Sequence, residues 1–154
     1  MKLAVLGVLV AGCNGGASGE PSGGTVSIVV GDKTIAPTVG AAIELVSSPP
    51  SPDDATKAMV ILGTSGISCA TDLNSRLDAG TYLTFNIPRA AMTLMGFVSV
   101  IRVDGSSAHL NATTGDIVID AIDPRVAGTV SFTTTDDQVG TISASGTFDV
   151  IRCF

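Results

Sequence analysis

His109 is the one histidine of the chain, so a hydrolytic Ser-His-Asp arrangement would have to use it as its general base. It lies in Ser106-Ser107-Ala108-His109-Leu110, where polar and apolar residues alternate as in a half-exposed strand. This pattern favours a solvent-exposed histidine over a catalytic one. The chain has no G-x-S-x-G sequence, and Gly63-Thr64-Ser65-Gly66 lacks the lysine of a phosphate-binding loop. We therefore predict no enzyme and no catalytic residues.

Two kinds of binding chemistry are weakly indicated. Carboxylate oxygens suit calcium, and the last third of the chain holds a set of aspartates that includes Asp116, Asp120, Asp123, Asp136 and Asp137. Aspartate is also a common turn residue, and Asp136-Asp137 stands where a hairpin needs a turn. Sugars usually stack on aromatic rings, yet the chain has no Trp and one Tyr, Tyr82. We keep a calcium- or polysaccharide-binding module as the alternative function. We assign no metal site and no cofactor.

Composition predicts one all-β domain. The chain has 154 residues, 45% of them hydrophobic, which suffices for one domain with a core. Its 18 glycines, its many β-branched residues and its charged fraction of 14% suit an exported β domain better than a cytosolic helical one. The net charge of −6 repels phosphate backbones, so we expect no nucleic-acid partner.

The first residues have the order of a secretory signal: Lys2, an apolar run, small residues and Cys13. As a helix the apolar run would rise roughly 14 Å, under half of a hydrocarbon core about 30 Å thick, so it cannot be a permanent membrane span. The alternative is an ordinary buried strand from Leu3 to Val10, which the glycines that follow disfavour.

Residues 9–13, Leu-Val-Ala-Gly-Cys, resemble the lipobox of bacterial lipoproteins, with Val10 where leucine is usual. The resemblance implies cleavage before Cys13, so that residues 1–12 are the signal peptide and the Cys13 sulfur carries diacylglycerol. Loss of Lys2 then takes the net charge from −6 to −7. Two or more acyl chains would anchor the protein stably, because each buried methylene contributes about 0.8 kcal/mol.

The lipidated cysteine would begin a tether, residues 13–24, before a single β domain at residues 25–154. The tether is rich in glycine and serine and offers no apolar surface to bury. A coil of this length reaches roughly 17–20 Å, which holds the domain close to the bilayer. Asn14 replaces the aspartate that usually retains lipoproteins in the inner membrane, so we expect the outer membrane, with the domain periplasmic or on the surface.

Three cysteines is an odd number for an exported protein. If Cys13 is acylated, Cys69 and Cys153 remain as a pair, and an oxidising compartment favours a disulfide between them. The alternative is two separately buried thiols, since a free cysteine packs like a small hydrophobic residue.

Strand-like segments recur every 10 to 12 residues or so, which is typical of an antiparallel sandwich or barrel. They are residues 25–30, 34–37, 39–46, 57–63, 81–87, 97–103, 107–112, 116–122, 127–134 and 139–150. Turns are expected at Asp104-Gly105, Thr114-Gly115 and Asp136-Asp137. Between Val126 and Thr133, apolar and hydroxyl residues alternate, so one face should be core and the other solvent. We predict an antiparallel β-sandwich of about eight to nine strands, with a barrel as the second choice.

The layout of lipobox, Gly-rich tether, early Gly-Thr-Val strand, mid-chain cysteine and closing segment at residues 145–153 resembles a set of lipoproteins of myxobacteria and their relatives. That family supplies no activity to carry over. The expected function is a membrane-anchored, non-enzymatic component of the envelope or cell surface that acts through contacts with an envelope protein partner.

Overall fold

The computed structural model describes residues 24–45, 49–70, 81–103, 106–137 and 139–154, and this part of the chain is an all-β fold, as predicted. Its elements are β1 (Ser27–Val30), β2 (Lys33–Ile35), β3 (Val39–Glu44), a 3₁₀ helix (Pro52–Ala55), β4 (Lys57–Gly63), β5 (Tyr82–Pro88), β6 (Met92–Val103), β7 (Ser106–Ala121), β8 (Arg125–Asp136) and β9 (Gly140–Cys153). The predicted signal peptide and the tether as far as residue 23, including Cys13, lie outside the described residues. None of the helical structure in the described ranges has the length and apolar character needed to cross a bilayer.

The nine strands form one continuous, strongly curled sheet in the order β2-β1-β9-β3-β4-β5-β6-β7-β8, with β8 also paired to β9. Because β9 pairs with both β8 and β3, strands β3 to β9 form a closed circuit. All described pairings are antiparallel except β3 with β9, where residues 41–43 run parallel to residues 151–153. The architecture therefore follows the barrel that we expected second, and not two stacked sheets, because the long β9 pairs with both β3 and β8.

The core fills the inside of this barrel with side chains from alternate positions of each strand. In β8, Val126, Val130 and Phe132 face inward, and in β9 Ile142, Ala144, Phe148 and Val150 do so. The alternation predicted for residues 126–133 is thus confirmed. The β4 run is buried on both faces, as its continuous apolar sequence indicated, because Val60 and Leu62 face the barrel interior while Ile61 is covered from outside.

The turn expected at Thr114-Gly115 is wrong, since β7 continues through it from Ser106 to Ala121. Gly115 instead bends the strand: its φ is 113°, and a Cβ there would lie 2.2 Å from the carbonyl oxygen of Ser131. Glycine allows both the positive φ and this close approach. Pairing of β7 with β8 begins at this residue, whereas β6 pairs with β7 on both sides of it, with a register shift between Met95 and Phe97.

One end of the barrel is held by arginines that bridge different strands. Arg89 donates from Nε to the carbonyl oxygen of Lys57 at 3.0 Å, and it lies 3.2 Å from Glu44. Arg152 binds Asp123 at 2.7 Å. The Phe154 ring lies beneath both guanidinium groups, 4.5 Å from that of Arg89 and 4.9 Å from that of Arg152. These partly exposed contacts fix the barrel end, each contributing modestly.

Candidate functional site

The outward side of the β8–β9 hairpin carries an uninterrupted set of hydroxyl side chains. Four cross-strand pairs make up this hydroxyl face: Thr129 with Thr147, Ser131 with Ser145, Thr133 with Ser143, and Thr135 with Thr141. Successive side chains of a strand point to opposite faces, so the buried residues between them face the core. The hydroxyl face carries no charge, although the chain as a whole is acidic.

A shallow groove of about 430 Å³ lies at the centre of the hydroxyl face, where β7 bends away at Gly115. Its lining residues are Gly115, Ser131, Phe132, Thr133, Ser143, Ala144 and Ser145. Each hydroxyl can both donate and accept a hydrogen bond. The groove therefore suits an uncharged polar group, such as the hydroxyls of a sugar or a peptide amide, and its lining provides no general acid or base.

A second feature lies on β3 and β4, where apolar side chains point outward. Ala41, Ile43, Ile61 and Ile67 form this outer apolar cluster, with Met59, Tyr82 and Ile151 packed around it. Ala41 pairs with Ile61 across β3 and β4. Both would face solvent if the connection after β4 did not cover them. Ile67 supplies the cover: a Cβ on Gly63 would lie only 2.6 Å from its Cδ1.

The covering segment, residues 64–70, is fastened by a disulfide. Cys69 is bonded to Cys153 as predicted, with their Cα atoms 5.2 Å apart and 84 positions between them in sequence. Burying one isoleucine contributes about 1.5–3 kcal/mol, whereas ordering the backbone costs roughly 1–2 kcal/mol for each residue. One buried side chain is too little to order the segment, so the covalent bond is needed to hold it.

Two of the aspartates that suggested calcium bind groups of the protein itself. Asp123 binds Arg152 at 2.7 Å, and Asp136 accepts a hydrogen bond of 3.0 Å from the backbone N–H of Val139 in the hairpin turn. Across the described ranges, no three His, Cys, Asp or Glu side chains come together as a metal site would require. Asp116 and Asp120 lie apart from these on β7.

The lone histidine lies on the β6–β7 hairpin, where the backbone of His109 pairs with Val100.

Comparison of the chain with protein-family models, curated proteins and solved structures finds no significant match. The assignment of a function therefore rests on the chain's own residues.

The sequence predicts the solvent-facing alternation of Thr129, Ser131 and Thr133 but not the groove among them. The groove depends on β7 bending at Gly115, and the sequence Thr114-Gly115 indicated a turn there instead. A useful signal was present in the two matching Ser/Thr alternations of residues 129–135 and 141–147 on either side of one turn.

Proposed function

We propose that the protein is a bacterial lipoprotein, anchored through a lipid on Cys13, whose β domain is a non-enzymatic envelope component that acts through contacts with a protein partner. The observation that best supports this proposal is which of the three cysteines are bonded to each other. The Cys69–Cys153 bond accounts for two of the three, which leaves Cys13 as the odd cysteine, within the sequence that resembles a lipobox.

The disulfide also supports a location outside the cytoplasm, because such bonds persist mainly in oxidising compartments. The described domain begins at residue 24, next to the glycine-rich stretch that would serve as its tether. A tether this short keeps the domain within a few tens of ångströms of the membrane, so its partners would be other components of the envelope.

Replacing Cys13 by serine should abolish membrane anchoring while leaving the fold intact, because residue 13 precedes the β domain. In a bacterial host, we expect the wild-type chain in the membrane fraction, released by detergent but not by high salt, and labelled by a fatty-acid precursor. Cys13→Ser should carry no label. The matched control, Cys69→Ser, should retain both label and anchoring. A wild-type chain that takes up no label would contradict the anchor.

Protein contacts can be tested directly by cross-linking intact cells that express the anchored chain. We expect a specific cross-linked envelope protein, absent when the reactive group is placed on the Cys13→Ser variant. Absence of any such adduct, together with turnover of a chromogenic ester or glycoside, would contradict the non-enzymatic proposal.

A neutral polysaccharide is the second candidate ligand, favoured specifically by the groove in the hydroxyl face. With ligand at 100 times its dissociation constant, binding should stabilise the domain by about 2.7 kcal/mol, measurable as a rise in melting temperature. Ser145→Arg, which fills the groove, should remove that shift. Thr135→Arg, on the same face but outside the groove, should preserve it. An unchanged melting temperature with dextran, mannan and other neutral glycans would rule out this candidate.

A further inference from the structure

The covering segment is attached to the barrel at its start and near its end. At its start, the N–H of Thr64 donates to the carbonyl oxygen of Thr81 at 3.2 Å, and the hydroxyl of Thr38 donates to the carbonyl oxygen of Thr64 at 3.0 Å. Ile67, 4% exposed, is its one buried residue. The covalent attachment beyond Ile67 is the Cys69–Cys153 bond.

The surface beneath the segment is apolar. Ala41 and Ile61 are fully buried, although both point away from the barrel interior. Release of the segment would therefore expose a contiguous apolar patch on the outside of β3 and β4. Contiguous exposed apolar surface of this kind promotes association with apolar partners or lipid.

We infer that the Cys69–Cys153 disulfide is a redox latch, which holds the covering segment closed when oxidised and releases it when a dithiol reduces it. Cys69 is exposed and Cys153 is only partly buried, so an external thiolate can reach the bond. That thiolate attacks the Cys69 sulfur, and the Cys153 sulfur leaves as a thiolate and takes up a proton. The second thiolate of the reductant then displaces Cys69, which is protonated in turn. The protein ends with two thiols and the reductant with one disulfide.

The fold of the barrel depends less on the disulfide than the position of the covering segment does. Cys153 is at the end of β9, which pairs with β8 over twelve residue positions and places Phe148 and Val150 in the core. The pairing between β9 and β3, which completes the circuit of strands, covers only three positions. Reduction is thus expected to free the covering segment and loosen the β9–β3 pairing while the rest of the barrel remains folded.

Hydrogen–deuterium exchange of the full chain in detergent, before and after reduction with dithiothreitol, tests the latch. We expect amides of residues 64–70 to exchange at least about tenfold faster after reduction, since local opening becomes the exchange route. Amides in the β8–β9 hairpin should remain strongly protected in the reduced chain, because the barrel stays folded although its global stability is lower. A dye that fluoresces on apolar surface should bind more strongly to the reduced chain.

A Cys69→Ser/Cys153→Ser variant should behave like the reduced protein with or without reductant, which separates the bond from side effects of dithiothreitol. Reoxidation of the wild-type chain should restore slow exchange in the segment. Unchanged exchange in residues 64–70 after reduction would overturn the latch. So would loss of protection throughout the β8–β9 hairpin on reduction, because the disulfide would then maintain the whole fold. Neither result depends on whether Cys13 carries a lipid.

Discussion

Replacing Phe148 by alanine is expected to lower the free energy of unfolding by about 3 to 5 kcal/mol. Phe148 is 1% exposed and lies directly opposite Gly128 in the β8–β9 register. Its ring occupies the space that a side chain at Gly128 would fill, since a Cβ there would lie 2.9 Å from the ring. On its other side the ring meets the edge of Phe85 with centroids 5.5 Å apart. Alanine would leave a cavity between non-adjacent strands of the barrel.

Chemical denaturation followed by far-ultraviolet circular dichroism measures this loss. The matched control is Phe154→Ala, which removes the same ring from a partly exposed position at the barrel end. We expect that variant to lose no more than about 2 kcal/mol, because solvent already reaches the ring. Equal losses in the two variants would mean that Phe148 is not enclosed by the barrel.

The disulfide should have the second large effect on global stability. A bond that closes a loop of 84 residues stabilises the folded state by at most about 4 to 5 kcal/mol, mainly by restricting the unfolded chain. At roughly 2–4 °C per kcal/mol, the Cys69→Ser/Cys153→Ser variant should melt roughly 10–20 °C below the oxidised wild type. Differential scanning calorimetry gives the comparison directly.

Reductant provides the control for this second prediction. In its presence the wild-type chain and the double variant should melt within a few degrees of each other, because both lack the bond. If the double variant melted at the same temperature as the untreated wild type, the two cysteines would not be joined in the folded protein.

The strand pattern predicted most of the fold because the dominant signals were local. The apolar run of β4 was placed at Lys57–Gly63, where the structure has it. The end of β9 was placed at Val150, three residues early, since its last part is held by parallel pairing with β3. That pairing joins distant parts of the chain, and no local pattern reports it.

The bend in β7 and the start of β6 were missed for a related reason. The sequence predicts a turn at Thr114-Gly115 and the start of β6 at Phe97, directly after Gly96. In the structure β6 begins at Met92, and its register with β7 shifts between Met95 and Phe97. The glycines thus mark irregularities within long strands, where backbones approach closely or change direction. Such irregularities place the groove of the hydroxyl face, so the groove could not be read from alternation alone.

The proposed anchor and the disulfide together assign all three cysteines, with a lipid on Cys13 and a bond between Cys69 and Cys153. The most direct test is the intact mass of the protein purified from the membrane fraction of a bacterial host, after thiol alkylation with and without prior reduction. We predict the mass of residues 13–154 plus a diacylglyceryl and an acyl group, with two alkylated thiols only after reduction. An unlipidated chain that retains Met1, with thiols alkylated before reduction, would contradict both the lipid on Cys13 and the Cys69–Cys153 bond.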